Sequence, residues 1–452
     1  MRLLVYISVV IVTFAANSAA NPNHTAAASE VLAIHDVHVL TMEDEEIKRN
    51  YTVIVRDGRI DRMGPANDIE IPENAQMITG ELYLMPGLAE MHGHIPGPDQ
   101  HMDPEETLRM YLAQGITTVR GMLGQPLHLE LREKADESSI SSPRIITSGP
   151  GFSGQSVDSP EQGRQMVREQ HDAGYDLLKF HPGLTLEEFE AITGKAHELD
   201  MEFSGHISFD VGLERSLDAG KGTIDHLDRY MEFIADAPEG REDPPVIYFG
   251  YDLTDHVVDE RIREAARITR EAGVWNVPTN TLLHNVLNPD LSVETMQEWP
   301  GMSFLPEEMV ENWSEFVTDL REGEMYDPDR ARRFLEIRDR ITLALHEEGA
   351  GIMLGADAPQ IFNPPGFSAH RELALYVDAG LSPFEALKTG TVNVARYLNE
   401  EGKSGKVAPG YRADLILLTE NPLESIPFHD HLHTVISEGV PYSADALLES
   451  LR

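Results

Sequence analysis

Cysteine is absent from the chain of 452 residues. Without thiols the protein can form no disulfide, and no cysteine is available for lipid attachment behind a leader segment. The length allows two or three domains of ordinary size, or one large α/β barrel beside a smaller domain.

Positive charge is also scarce. Lysine and arginine together number 36 against 77 aspartates and glutamates, which gives a formal net charge of −41 at pH 7. Nucleic acid and anionic membrane surfaces carry the same sign and would be repelled over a long range, so neither is expected as a partner. The acidic composition says little about the chemistry of the protein, and homo-oligomerisation stays open.

The hydrophobic run at the N-terminus, residues 3–16, is too short to span a membrane comfortably. One arginine precedes the run and Ser18, Ala19 and Ala20 follow it, which is the three-part pattern of a secretory signal peptide over residues 1–20. An uncleaved anchor is the alternative. The pattern predicts a periplasmic or secreted mature protein that does not stay in the membrane.

Short strands broken by turns occupy both flanks of the remaining chain. Asp57 and Gly58 separate two strand-like runs and predict a hairpin. Short strand-like runs broken by turns occur again near the C-terminus. We therefore expect residues 31–84 and 403–452 to fold together as one small β-sandwich domain.

Between these flanks, residues 85–402 alternate strand-like and helix-like segments, which is typical of a parallel sheet covered by helices. Eight strands can be counted, and this number favours an α/β fold built on a distorted (β/α)8 TIM barrel. Two stretches near residues 232–254 and 282–329 exceed ordinary loops. We expect both to be insertions over the barrel mouth, where substrate is selected.

The most informative motif places His92 and His94 on either side of Gly93, at the end of an apolar run. Histidines at positions i and i+2 of a strand point to the same side, so both imidazoles can bind one metal ion. Histidines that only satisfy hydrogen bonds near a strand end are the alternative.

Further polar residues end otherwise apolar strands, where barrel enzymes hold their reactive groups. They are Lys179, His206, His226 and Asp357. Each alone has an ordinary structural explanation, such as a salt bridge for the lysine or a helix cap for the aspartate. Together with the first histidine pair they end five different predicted strands, and this convergence indicates one functional site.

The order of these residues resembles the amidohydrolase superfamily, in its binuclear subtype with a carboxylated lysine. The likeness is nearest to the imidazolonepropionase-like and prolidase-like branch and runs from about residue 31 to residue 437. Other segments that share the pattern of the superfamily are residues 111–120, 354–359, 366–373 and 409–415.

The resemblance implies two divalent metal ions. One ion would be bound by His92, His94 and Asp357, and a carbamate formed by CO₂ on Lys179 would bridge it to the other. The second ion would be bound by the remaining candidate ligands, His206 and His226. Zn²⁺ suits these ligands best, with Mn²⁺, Co²⁺ and Ni²⁺ as alternatives.

In such a site the ions activate a water molecule and polarise the scissile carbonyl. Asp357 would take the proton of the water and pass it to the leaving amine, which makes it a catalytic residue as well as a ligand. Tyr230 is the candidate donor to the oxyanion, and packing at the barrel rim is its alternative.

One turn departs from the pattern of the superfamily. Many relatives carry a histidine after the third strand, where this chain has Gln155, and a glutamine supplies neither a proton nor positive charge. His181 and His370 are candidate substrate-binding residues. The histidine-rich segment 429–433 lies outside the predicted barrel and is interpreted as an exposed strand or loop.

The predicted function is a metal-dependent hydrolase that cleaves an amide bond in a dipeptide, an N-acyl amino acid or a similar small molecule. Hydrolysis of an ester, a lactone or an organophosphate is the alternative, because the same activated water serves each reaction. A metal-free, catalytically silent scaffold is the other alternative, but such a protein would have no physical need for the complete set of candidate ligands.

The acidic surface leads to a prediction about salt. Screening shortens the range of repulsion between like charges, so we expect the thermal unfolding midpoint to rise as NaCl is added to about 1 M. Thermal unfolding followed by circular dichroism across a salt series measures the effect. The hypothesis behind this prediction is that the acidic composition is an adaptation to salty surroundings, and a midpoint that falls with added salt would contradict it.

Overall fold

The computed structural model describes residues 31–97, 100, 102–238, 241 and 249–452. The predicted signal peptide, residues 1–20, lies outside the described residues, as does part of the predicted insertion near 232–254. In the described part of the chain, no helix is both long and apolar enough to cross a membrane.

The strands fall into three groups along the chain. The N-terminal group is β1 (Val31–Leu40), β2 (Ile47–Arg56), β3 (Arg59–Pro65), β4 (Gln76–Thr79) and β5 (Tyr83–Pro86). The middle group is β6 (Leu88–Gly93), β7 (Ile116–Gly121), β8 (Arg144–Thr147), β9 (Leu177–Phe180), β10 (Glu202–Gly205), β11 (Thr223–Asp225) and β12 (Trp275–Val277). The C-terminal group is β13 (Leu415–Leu418), β14 (Leu432–Ser437) and β15 (Val440–Ser443).

Helices separate the middle strands and follow them. Those up to β12 are α1 (Pro104–Ala113), α2 (Pro126–Asp136), α3 (Pro160–Ala173), α4 (Leu186–Glu198), α5 (Gly212–Asp218), α6 (Tyr230–Ile234) and α7 (Glu260–Ala272). Those after β12 are α8 (Asn280–Leu287), α9 (Val293–Gln297), α10 (Glu307–Glu322), α11 (Pro328–Glu348), α12 (Phe367–Ala379), α13 (Pro383–Thr389), α14 (Val392–Tyr397) and α15 (Ala444–Glu449).

The two flanks of the chain share one mixed, eight-stranded sheet in the order β15-β14-β13-β5-β1-β2-β3, with β4 also paired to β1. The joint between the flanks is the antiparallel pairing of β13 with β5. The hairpin predicted at Asp57 and Gly58 is present, and both residues have positive φ values, 49° and 71°, as a tight two-residue turn requires. The alternating apolar residues of these strands bury a core of their own under the sheet.

The middle strands form two parallel sheets, β6-β7-β8 and β12-β11-β10-β9. Parallel pairing with a helix between successive strands gives the mixed α/β fold that the alternating pattern predicts. A bridge between Ser148 and Leu177 connects the two sheets at one seam. At the other seam, residues 351–358 carry no assigned strand but bridge β12 at Asn276 and β6 at Gly93.

The stretch 282–329, predicted as an insertion, is largely helical and contains most of α8 and all of α9 and α10. Its apolar side chains, among them Met296, Val317 and Leu320, join the main hydrophobic core of the molecule. In the other predicted insertion, Phe249 is 9% exposed and lies against the rings of two histidines described below.

Gly115 lies just before β7 and packs against side chains of β13 and β14 in the terminal sheet. This contact leads to a prediction about stability. The φ of Gly115 is +78°, and an added Cβ would lie 3.1 Å from Ile416 Cγ2 and 3.2 Å from Leu432 Cδ2. Gly115→Ala should lose about 1–2 kcal/mol from left-handed backbone strain and about 1–3 kcal/mol more from overpacking. Urea unfolding measures the free energy of unfolding of each variant.

Gly174→Ala is the matched control, because Gly174 has a similar φ of +84° and a Cβ there would meet nothing closer than 4.0 Å. The control variant should lose only the strain component. Equal losses at the two positions would mean that the contact between the middle strands and the terminal sheet tolerates an extra methyl group.

Candidate metal centre

Three candidate ligands meet where β6 runs beside residues 351–358. His94 Nε2 lies 2.6 Å and His92 Nε2 lies 3.5 Å from the same oxygen, Oδ1 of Asp357. The backbone holds these residues in register, because the Asp357 N–H donates to the His92 carbonyl and the His94 N–H donates to the Ala358 carbonyl, at 3.0 and 2.7 Å. A single carboxylate oxygen is therefore within reach of two imidazole nitrogens.

Two further histidines lie directly after two neighbouring strands of the other parallel sheet. His206 comes directly after β10 and His226 directly after β11, and their ring centroids are 4.4 Å apart. The His226 ring also lies 4.5 Å from that of His92. His92, His226 and Asp357 each offer one ligand atom, and these three atoms lie within 4.8 Å of one another. The two histidine pairs therefore form one continuous cluster.

Lys179 lies on β9, and its side chain is 1% exposed. Its Nζ is 3.4 Å from His92 Nε2 and 3.7 Å from Asp225 Oδ2. All six side chains predicted as ligands, from five separate segments of the chain, are thus brought together at one edge of the parallel strands.

Burial controls the protonation of the cluster. Desolvation, and then the neighbouring Lys179, hold the pKa of His92 far below its ordinary value, so the ring is neutral at physiological pH. Desolvation also lowers the pKa of His226 strongly. For Asp357 desolvation acts in the raising direction, but neighbouring His92 and the hydrogen bond from His94 outweigh it and hold the pKa below its ordinary value. Neutral imidazoles beside an ionised carboxylate are the forms that bind a metal ion.

Two aspartates to which the sequence interpretation assigned no role contact the histidines. Asp225 Oδ2 lies 2.9 Å from His92 Nδ1 without hydrogen-bond geometry, and Asp228 Oδ2 forms a hydrogen bond of 2.9 Å with His206 Nδ1. A carboxylate hydrogen-bonded to one ring nitrogen, as at His206, fixes the tautomer and leaves the other nitrogen available to a metal. The available signal was their position in the chain, since both lie within two residues of His226.

Glu90 is a further functional residue that the sequence interpretation missed. It is fully buried on β6 and accepts hydrogen bonds from the backbone N–H groups of His92 and Ala356. Burial raises the pKa of Glu90 to about 8 in spite of these two hydrogen bonds. A carboxyl group inside a fully buried strand therefore ties the ligand-bearing end of β6 to the residue before Asp357.

The structure does not bring Tyr230, predicted as the oxyanion donor, to the candidate ligands. The Tyr230 hydroxyl donates to Asn276 Oδ1 at 2.9 Å and shares a hydrogen bond with Thr269 Oγ1 at 2.8 Å. Thr269 belongs to α7, so the phenol points into the layer between strand and helix rather than towards the ligands. The alternative, a packing role, describes its position.

The two candidate substrate-binding histidines have different surroundings. The His370 ring nitrogen Nε2 lies 2.9 Å from the Gln114 carbonyl, the side chain is fully buried, and Phe428 packs edge-on against it at 4.6 Å. His370, predicted as a substrate-binding residue, therefore lies beneath the C-terminal flank and not beside the candidate ligands. The His181 ring lies 5.5 Å from that of His206, and its buried Nε2 has no hydrogen-bond partner in the described part of the chain.

The remaining predicted features lie away from the cluster. Gln155 is exposed in the turn after β8, where its N–H donates to Ser153 Oγ. The histidine-rich segment begins as a short 3₁₀ helix, His429–His431, in which His429 pairs with Asp430. Among the described residues, no metal-binding group includes this segment.

The sequence profile of the amidohydrolase family matches residues 83–441, which is more than half of the chain. The chain therefore belongs to the amidohydrolase family. Imidazolonepropionase of Rubrobacter xylanophilus is 39% identical over 114 residues, a match that covers 24% of this chain and 26% of that protein. Ochratoxinase of Aspergillus niger is 20% identical over 453 aligned residues, which cover 85% of this chain and 80% of that protein.

A solved Xaa-Pro dipeptidase with methionine bound in its active site has a TM-score of 0.66 and 19% identity, covering 91% of this chain and all of that one. At this identity the likeness shows a shared fold. The matches confirm the predicted superfamily and its imidazolonepropionase-like and prolidase-like branch. The prediction of an enzyme of the amidohydrolase type is confirmed with them.

The buried cluster generates a prediction about chelation. Removing a bound ion would leave buried imidazoles and carboxylates without compensation, so EDTA should lower the unfolding midpoint and added Zn²⁺ should restore it. An ion present at 100 times its Kd stabilises the folded state by about 2.7 kcal/mol. Differential scanning calorimetry with and without EDTA measures the change.

Two variants separate the buried cluster from the surface histidines. Asp357→Asn should abolish the response to EDTA, because it removes the carboxylate shared by His92 and His94. His431→Asn, in the histidine-rich segment, should leave the response unchanged. A response that disappears only in the second variant would place the stabilising ion on the surface instead.

Proposed function

We propose that the chain is a metal-dependent hydrolase that cleaves an amide bond in a dipeptide, an N-acyl amino acid or a similar small molecule. The main support for this proposal is that six candidate ligands, from five segments of the chain, lie together at one edge of the parallel strands. The named relatives support the choice of bond, since they include a dipeptidase and an imidazolonepropionase.

The proposed architecture is a distorted (β/α)8 barrel beside a β-sandwich formed by the two flanks. Bridges at both seams support it: Ser148 pairs directly with Leu177 at one seam, and residues 351–358 pair with Asn276 and Gly93 at the other. In a barrel of this kind the residues that follow the strands share one rim. The candidate ligands would all belong to that rim.

The donor set fits two divalent cations. His92, His94 and Asp357 would hold one ion and His206 with His226 the other, and Zn²⁺ is the best match to this mixture of imidazole and carboxylate. A carbamate on Lys179 would bridge them. Support comes from desolvation, which lowers the pKa of Lys179 and so favours the neutral amine that adds CO₂.

When bound, the ions would acidify a water molecule, polarise the substrate carbonyl and stabilise the developing oxyanion. Asp357 would accept a proton from the attacking water and donate it to the departing amine nitrogen. The Asp357 carboxylate is held for this task on both oxygens, Oδ1 by His94 and Oδ2 by the Gln360 amide at 3.2 Å.

The exposure of the ligands indicates how substrate would approach. The side chains of His94 and His206 are 21% and 11% exposed, whereas those of His92, His226 and Asp357 are at most 3% exposed. Substrate would therefore enter past His94 and His206. His181, next to His206, stays a candidate contact for the substrate.

The proposed setting is the periplasm or the cell exterior after removal of residues 1–20. It rests on the N-terminal pattern of one arginine, an apolar run and small residues. A freely diffusing small molecule is the proposed partner, and self-association is compatible with the proposal.

A hydrolysis panel tests the proposed function. Purified protein loaded with Zn²⁺ in bicarbonate buffer should cleave N-acyl amino acids and dipeptides faster than esters, lactones or phosphotriesters. Lys179→Ala should lower kcat/KM by about 100-fold, because it removes the proposed bridging ligand. Lys195→Ala, which removes a lysine paired with Glu198 on the outside of α4, is the matched control and should keep full activity.

The panel also separates the alternatives. Turnover of esters or phosphotriesters without any amide turnover would contradict the proposed bond. Full activity of the Lys179→Ala protein would contradict the bridged pair of ions. Absence of bound metal from wild-type protein prepared with excess Zn²⁺ would favour a silent scaffold.

A further inference from the structure

Thr279 occupies an unfavourable backbone conformation beside the metal centre. It follows β12 directly after Pro278, its side chain is fully buried, and its φ is +47°. A β-branched residue rarely adopts the left-handed region, and such strain persists only where the surrounding structure imposes it. The position therefore calls for a reason why threonine is used there.

The Thr279 hydroxyl contacts a candidate ligand. Its Oγ1 lies 2.8 Å from Nδ1 of His226, which is 1% exposed. A hydroxyl that accepts the Nδ1–H of an imidazole fixes the tautomer in which Nε2 is free to bind a metal. His226 itself has a φ of 62°, so both partners of this hydrogen bond sit on left-handed backbone.

A buried arginine on α11 holds both strand ends that carry these partners. Arg338 Nη1 donates to the His226 carbonyl and Nη2 donates to the Pro278 carbonyl, each at 2.9 Å. The guanidinium is 1% exposed. Because its fork is planar and rigid, one side chain sets the spacing between the end of β11 and the end of β12.

A buried glutamate on α12 fixes the other side of Thr279. Glu372 accepts from the N–H groups of Asn280 and Thr281 at 2.8 and 2.7 Å. Arg338 Nη2 also donates to Asn280 Oδ1 at 3.1 Å. The residues before and after Thr279 are thus both anchored by charged side chains from outer helices.

We propose that Thr279 is a positioning residue for the second metal ion, and that Arg338 and Glu372 maintain the strained backbone that directs its hydroxyl to His226. This inference rests on the proposed function, since it requires His226 to be a ligand. It applies to the second ion only, because Nδ1 of His92, a candidate ligand of the first ion, lies beside the Asp225 carboxylate and not beside Thr279.

Thr279→Val is the principal test. Valine has the same branching and therefore the same backbone strain, but it lacks the hydroxyl that accepts from His226. Zn²⁺ is titrated into metal-free protein in bicarbonate buffer, with a chelator present to measure tight affinities. Wild-type protein should bind two ions, and the variant should bind the first normally and the second about 10- to 100-fold more weakly.

Three further variants control for folding and for the hydroxyl itself. Thr279→Ser restores the hydroxyl without the methyl group and should restore the second affinity. Thr193→Val removes an equally buried hydroxyl, which donates to Phe189 within α4, and should leave both affinities unchanged. Arg338→Lys keeps the charge but loses the fork, so it should weaken the second ion alone.

Circular dichroism of each metal-free variant shows whether it is folded, and Thr279→Ala, which also relieves the branching, replaces valine if that variant does not fold. Wild-type protein that binds two ions and a hydroxyl-free variant with an unchanged second affinity would overturn this inference and leave the proposed function standing. An equal weakening in Thr279→Ser and Thr279→Val would also overturn it. Wild-type protein that binds no ion would overturn both.

Discussion

The carboxylate of Asp357 is the group on which the candidate site depends. It is 2% exposed, and a charge so far from water is tolerated only where neighbouring groups compensate it. His94 and His92 approach one of its oxygens and Gln360 the other. The position of Asp357 in turn depends on the segment 351–358, whose bridges reach β12 on one side and β6 on the other. Asp357 therefore depends both on neighbouring groups that compensate its charge and on the strand pairing that positions its backbone.

Strand periodicity made the grouping of the candidate ligands predictable. The carboxyl ends of parallel strands lie at one edge of the sheet, so polar residues that end apolar strands lie close together at that edge. For this reason His206, His226 and Lys179 could be predicted as candidate ligands from the sequence. The same reasoning located the alternation of strands and helices. It did not give the surroundings of Tyr230, four residues after His226. The chain between them passes through left-handed residues at Leu227 and Arg229, and the phenol shares a hydrogen bond with Thr269 of α7.

The residues that support the ligands could not be predicted in the same way. Asp225 and Asp228 stand beside the candidate ligand His226 in the sequence, but each contacts a histidine from another strand, and that pairing exists only in three dimensions. The contacts of Glu90 and His370 were equally unpredictable: Glu90 was not predicted but bonds to the site, and His370 was predicted but lies away from it. The buried glutamate acts on the site through backbone N–H groups, whereas the histidine, named from its place after the last strand, bonds to the Gln114 carbonyl beneath the C-terminal flank.

Several residues at or beside the candidate ligands have left-handed backbone. His226, Leu227, Arg229, Thr279 and Asp357 all have positive φ values, although none of them is glycine. Each such residue costs of order 1–3 kcal/mol, so the site is a destabilised region that the rest of the fold must offset. Part of this cost is offset by the buried side chains of Arg338 on α11 and Glu372 on α12, which bond to the backbone on either side of Thr279. A sequence optimised for stability alone would place glycine or asparagine at these turns, whereas the threonine and the histidine found there place their side chains in contact at the cluster.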